Sequence, residues 1–142
     1  MSRKKRKFCF PLLHPSKDGE IPQPTIPRES ELVFSFKYLD MSAEPFHLEK
    51  VDKEYHKKML SRLREMCRMS AGQAQHERSL RFHEIDWDKA SKSGFGITGG
   101  EDFDKVAFQF AISANKYGRV HGFLSENVFF VRWFDPDHRL SP

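Results

Sequence analysis

The chain reads as an α+β protein: an antiparallel β-sheet of four or five strands, one main basic helix packed on it, and a C-terminal β-meander. Three observations predict this class. Residues 105–134 fall into alternating apolar and polar runs separated by turn residues. Residues 52–69 repeat apolar side chains at helical spacing. Residues 1–30 do neither, because Pro11, Pro15, Pro22, Pro24 and Pro27 remove backbone donors and fix φ too often for a helix or an inner strand. They form a basic, Pro-rich flexible arm ahead of a single α+β domain over 31–142, a length that suits one core.

The first strand is "ELVFSFKYLD", 31–40, whose Leu32, Phe34, Phe36 and Tyr38 form the buried face. The helix follows over 52–69. Asp52 is placed to cap it, Glu54 sits in the first turn where the helix dipole favours a carboxylate, and Tyr55, Met59, Leu63 and Met66 make the apolar stripe with Leu60 and Cys67. Lys57, Lys58 and Arg62 lie on its basic side, which is either a solvated face or one that tracks phosphates. "SAGQAQHERS", 70–79, is a loop or a frayed helical extension. "LRFHEIDWD", 80–88, alternates as a strand, and the four-glycine segment 89–104 is a flexible connection. The meander then runs through 105–113, a turn at "NKYG" (115–118), and strands 119–125 and 128–134 joined at Glu126-Asn127.

Charge is concentrated at one end. "RKKRK" at 3–7 supplies five basic groups, and removing them from the 24 Lys and Arg leaves 19 against 20 Asp and Glu. The body is therefore near neutral, and the basic tail suits either solubility or non-specific affinity for polyanions. No apolar run is long enough to span a membrane, and the short "FCFPLL" after the basic run does not read as a secretory signal. Cys9 and Cys67 lie in unlike contexts and read as unpaired thiols, so a cytoplasmic location is expected.

A two-residue turn at Glu126-Asn127 fixes the last hairpin by counting outward: Phe123 opposite Phe130, Gly122 opposite Val131, His121 opposite Arg132, Val120 opposite Trp133 and Arg119 opposite Phe134. One face is then Val120, Gly122, Leu124, Phe129, Val131 and Trp133, a core face. The other sets Arg119, His121 and Arg132 among Phe123, Phe130 and Phe134, directly before "DPDHRL" with His138 and Arg139. Such a cluster of cations needs an anion or a carboxylate among them. The face is either an anion-binding surface or an internal network with Asp135 or Asp137.

Arginine to clamp phosphate, aromatic rings to stack on bases and histidine to move a proton together suit RNA. Metal-independent cleavage needs a base, an acid and cationic stabilisation of the phosphate. His121 and His138 would be the proton carriers and Arg119 and Arg132 the phosphate stabilisers. Lys57, Lys58, Arg62, Tyr117 and Phe130 would bind the rest of the RNA, with Lys105 a further polar candidate. No cofactor motif is present: "GFGITGG" lacks the lysine of a P-loop. Metal ligation through His83, Asp86 and Asp88, or through Asp135, Asp137 and His138, lacks strict ligand spacing.

A basic helix, then a three-strand meander bearing "GRVHGF" and "FFVRWF", then the polar tip "DPDHRL", resembles the layout of the RelE-like toxins of bacterial toxin–antitoxin systems. The resemblance covers residues 31–140. It implies a small metal-independent ribonuclease without cofactor, with RNA as partner (on the ribosome for many of that family) and an antitoxin protein. The Pro-rich arm and a body that is not basic depart from that pattern. A different class also fits the residues: a non-catalytic protein-interaction or regulatory module that docks through the Phe-rich sheet face and the arm.

Overall fold

A computed structural model describes residues 30–42, 51–114 and 116–141. The expected arm, with the exception of residue 30, lies outside the described residues. Five strands form one sheet: β1 (Val33–Ser35), β2 (His83–Glu84), β3 (Ala107–Ala111), β4 (Arg119–Ser125) and β5 (Val128–Asp135), in the order β1-β5-β4-β3-β2. Two helices, α1 (Lys53–Met66) and α2 (Ala71–His76), lie between β1 and β2 in the chain. The α+β class is as expected, but the sheet is mixed.

The meander is antiparallel, whereas β1 pairs with β5 in parallel, Val33 opposite Val128 and Ser35 opposite Phe130. The hairpin turn sets this direction. Asn127 accepts from the backbone N–H of Val33 at 2.9 Å through its carbonyl and donates from its side-chain amide to the Glu31 carbonyl at 2.9 Å. The start of β1 is thereby fixed beside the start of β5. The strand is also shorter than its alternation suggests. The chain turns after Ser35, with Leu39 N–H bonded to the Phe36 carbonyl at 3.1 Å. Leu32 and Phe34 join the core on one side of the sheet, Tyr38 packs on the other, and Phe36 is half exposed.

Helix α1 begins where its sequence says. The Asp52 carboxylate accepts from the Tyr55 N–H at 2.9 Å, satisfying one of the donors that a helix start leaves open. Tyr55, Leu63 and Met66 are buried and Met59 is half-buried, but Leu60 is 61% exposed and Cys67 is an exposed free thiol. The segment after it is a separate helix. Ser70 and Gln73 form a reciprocal capping box, which restarts the chain as α2. The strand expected over 80–88 shrinks to two residues: Arg81 adopts a left-handed conformation (φ 48°) before it, and the Lys89 N–H closes a turn on the Asp86 carbonyl after it.

The sheet is covered on both faces. On the helix side Leu32, Tyr55, Leu63, Met66, Phe110 and Phe129 form the larger core. On the other side Phe95, Trp133, Phe123 and Leu140 form a second core under the segment expected to be a loose connection. Asp104 pins that segment. Its carboxylate accepts from the Phe95 N–H at 2.9 Å, its carbonyl accepts from Trp87 Nε1 at 2.9 Å, and Phe95 is 1% exposed. The aromatic face of the hairpin is therefore an interior.

Candidate functional site

The hairpin keeps its expected register from Ser125–Val128 to Gly122–Val131 and then slips by one residue. Beyond the slip His121 faces Trp133, Val120 faces Phe134 and Arg119 faces Asp135. A β-bulge at Arg132 accounts for this, since two residues of one strand there oppose a single residue of the other. The slip flips the end of β5: Phe134 joins the helix-side core, Trp133 joins the second core, and Asp135 comes opposite Arg119.

Arg132 is displaced from the expected trio. Its Nε and Nη2 donate to the Phe95 carbonyl at 3.2 and 3.0 Å, its Nη1 donates to the Tyr38 carbonyl at 2.9 Å, and Nη2 lies 3.4 Å from the Asp40 carboxylate. It is a clamp holding two covering segments to β5, and its hydrogen-bonding capacity is used there rather than at a phosphate.

His121 is likewise not a surface group, being fully buried. Its Nε2 is 3.0 Å from Oδ2 of Asp135, which is also fully buried. Asp135 further accepts from the backbone N–H of Arg139 at 2.8 Å and of Leu140 at 2.9 Å. Although burial opposes its charge, the imidazole N–H and the two backbone donors hold its carboxyl below the usual range. Burial outweighs the same carboxylate for His121 and pushes the imidazole down, so the ring is neutral with its proton on Nε2. The pair is an internal lock that folds the C-terminal tip back over the sheet.

The tip carries the groups that do reach solvent. His138 follows a turn closed by its N–H on the Asp135 carbonyl (3.2 Å), and sits in the left-handed region at φ 55°. Gly118, at φ 67°, lies so close beneath that a Cβ there would stand 1.8 Å from the Asp135 carbonyl oxygen. Only glycine gives this approach and this φ together. Between the tip and the turn before β4 opens a cleft of about 360 Å³ whose walls include Arg81, Lys116, Tyr117, Arg119, Asp137 and His138. Three fixed cations face one carboxylate there. Arg119 Nε donates to Nε2 of His138 at 3.3 Å, while its Nη1 is buried without a hydrogen-bond partner. Burial, and next the Arg81 charge, lower the proton affinity of Arg119; burial and then the Arg119 charge lower that of His138.

Of the four residues expected to carry chemistry, Arg119 and His138 meet in the cleft, His121 lies behind it, and Arg132 serves elsewhere. Tyr117 lines the cleft. Arg62 is engaged by the Ile112 and Ser79 carbonyls and by Glu65, so it anchors α1 to the sheet. Lys57 and Lys58 are exposed on α1. Phe130 stacks on Phe123 at 4.9 Å and meets the edge of Tyr38 at 5.7 Å, in the second core. Arg81 and Lys116 escaped the sequence argument because each is an isolated basic residue that only the loop geometry brings to the cleft. Among the described residues no group of three or more His, Cys, Asp or Glu is arranged to hold a metal, and no helix is long and apolar enough to cross a membrane.

The fold and cleft define an α+β protein with a cationic, histidine-bearing hollow at one end of a mixed five-stranded sheet. The chain matches no protein-family model, no curated protein and no solved structure.

Proposed function

We propose that the cleft receives a phosphodiester of RNA and that His138 is the base of a metal-independent cleavage. The observation that carries this reading is the Arg119 Nε to His138 Nε2 contact in a hollow also lined by Arg81 and Lys116. A guanidinium with a buried, unused nitrogen beside two further cations suits a phosphate, which accepts several N–H groups at once. His138 is held neutral at pH 7, the form a base requires. Its Nε2 lone pair accepts from Arg119 Nε. A bound phosphate draws the Arg119 donors to itself and frees that lone pair for the ribose 2′-hydroxyl.

The chemistry then balances without a redox partner. His138 removes the 2′-hydroxyl proton, the 2′-oxygen bonds to phosphorus, and the bond to the 5′-oxygen breaks. The departing oxygen takes a proton from water, leaving a 2′,3′-cyclic phosphate and a 5′-hydroxyl. Arg119, Arg81 and Lys116 stabilise the charge that grows on the phosphate. His121 is a positioning residue: it orients Asp135, and Asp135 orients the tip.

The test is cleavage of a DNA strand carrying one ribonucleotide, with EDTA present throughout. Wild type should cut at that nucleotide and leave a cyclic phosphate. His138→Asn should lose about 10²–10⁴-fold, the usual contribution of a positioned base. His121→Gln, which keeps a donor toward Asp135, should retain most of the rate. No cutting by pure wild type, or equal cutting by His138→Asn, sinks the proposal.

A further inference from the structure

A second hollow of about 230 Å³ adjoins the cleft and shares Lys116, Tyr117, Pro136 and Asp137 with it. Its other walls are Val51, Asp52 and Tyr55. The chemistry of the two differs. The cleft is cationic, whereas the hollow is lined by Lys116 together with the carboxylates of Asp52 and Asp137 and the Tyr55 phenol.

Tyr55 is the telling residue. It is 1% exposed, its ring meets the edge of Tyr117 at 5.9 Å, and its hydroxyl has no hydrogen-bond partner. Phenylalanine would fill the same volume without an unsatisfied oxygen, so packing alone does not explain the hydroxyl. Burial and the nearby Asp135 and Asp137 charges keep the phenol protonated, hence able both to donate and to accept. Tyr117 lines both spaces, adopts a left-handed conformation (φ 69°) and meets the Tyr55 ring edge-on. A ligand lying across Tyr117 would thus have a phosphate at one end and hydrogen-bond donors at the other. At about 30 Å³ per water, the hollow has room for several waters or one planar ring system.

We infer that the cleft and hollow together form a nucleotide site, with the phosphate at Arg81 and Arg119 and an amino-bearing base in the hollow of Tyr55, Tyr117 and Asp137. This rests on the phosphate reading above and adds a substrate class to it. The exocyclic amino group of adenine or cytosine donates to the Asp137 carboxylate or the Tyr55 oxygen, and the ring packs on Tyr117. Uracil, with a carbonyl at that place, meets the carboxylate instead.

Calorimetric titration of the full chain with inorganic phosphate, adenosine 3′-phosphate and uridine 3′-phosphate tests it. Adenosine 3′-phosphate should bind about tenfold more tightly than phosphate or the uridine compound. Tyr55→Phe should remove most of that gain and leave phosphate binding unchanged. Asp137→Asn should also reduce the preference for adenosine while strengthening phosphate binding. If phosphate binds and the nucleotides bind no better, or Tyr55→Phe leaves the preference intact, the nucleotide site is wrong and the phosphate cleft stands. If neither phosphate nor nucleotide binds, both readings fall.

Discussion

Replacing Asp135 with asparagine removes the centre of the lock that shapes the candidate site. The native carboxylate accepts three bonds: from Nε2 of His121 at 3.0 Å, from the Arg139 N–H at 2.8 Å and from the Leu140 N–H at 2.9 Å. An amide has one acceptor oxygen. Placed where Oδ2 was, that oxygen keeps His121 and Leu140 but turns an NH₂ toward the Arg139 donor. One charge-assisted bond of roughly 1.5–3 kcal/mol is lost and two others weaken to neutral strength. The expected destabilisation is about 3 kcal/mol, the lost charge-assisted bond together with the weakening of the two that remain. Urea unfolding measures it, with Trp133 and Trp87 as reporters in the second core. For a urea dependence of about 1–3 kcal/mol per molar, the midpoint should fall by roughly 1–3 M. A fall below about 0.3 M with an unchanged slope would show that the lock contributes little, and the account of the tip would fail with it.

Further outcomes follow from the same geometry. His121 has a proton affinity below its ordinary value near 6.5, so the unfolded chain takes up protons first and stability should drop as pH falls below that value, by at most about 1.4 kcal/mol per pH unit from this group; His121→Gln should flatten the profile between pH 6.5 and 5, and an unchanged profile would contradict the assignment. The contribution of Asp135, whose proton affinity is also lowered, is present above its ordinary value of 3.8 and disappears only as pH falls through its lower folded value. Gly118→Ala should destabilise by about 2 kcal/mol or more in thermal unfolding, since the new Cβ meets the Asp135 carbonyl and the left-handed φ disfavours it. Arg132→Lys, which cannot reach the Phe95 and Tyr38 carbonyls with one planar group, should cost about 1–3 kcal/mol and speed limited proteolysis within 89–104. Tyr55→Phe should be neutral or stabilising by about 1 kcal/mol in urea, because it deletes a buried hydroxyl that has no partner.

The sequence by itself determined the local elements. Asp52 and the apolar stripe of Tyr55, Leu63 and Met66 set the helix, and Glu126-Asn127 set the hairpin and its first four pairings. These depend on capping, periodicity and turn chemistry, all of which act within a few residues. Tertiary structure decided the rest. Parity along β5 is an inference from unbroken pairing, and one bulge at Arg132 reversed it beyond that residue, turning Trp133 to the second core and bringing Asp135 opposite Arg119. The alternation of 31–40 carries no information on direction, so the parallel pairing came from Asn127 holding Glu31 and Val33 across a separation of more than ninety residues. Arg81, Lys116 and His138 share a cleft because three loops converge there, and no spacing rule connects loops distant in the chain. Local patterns report where a side chain points from its own strand or helix. What it meets there is settled by the segments that fold over it.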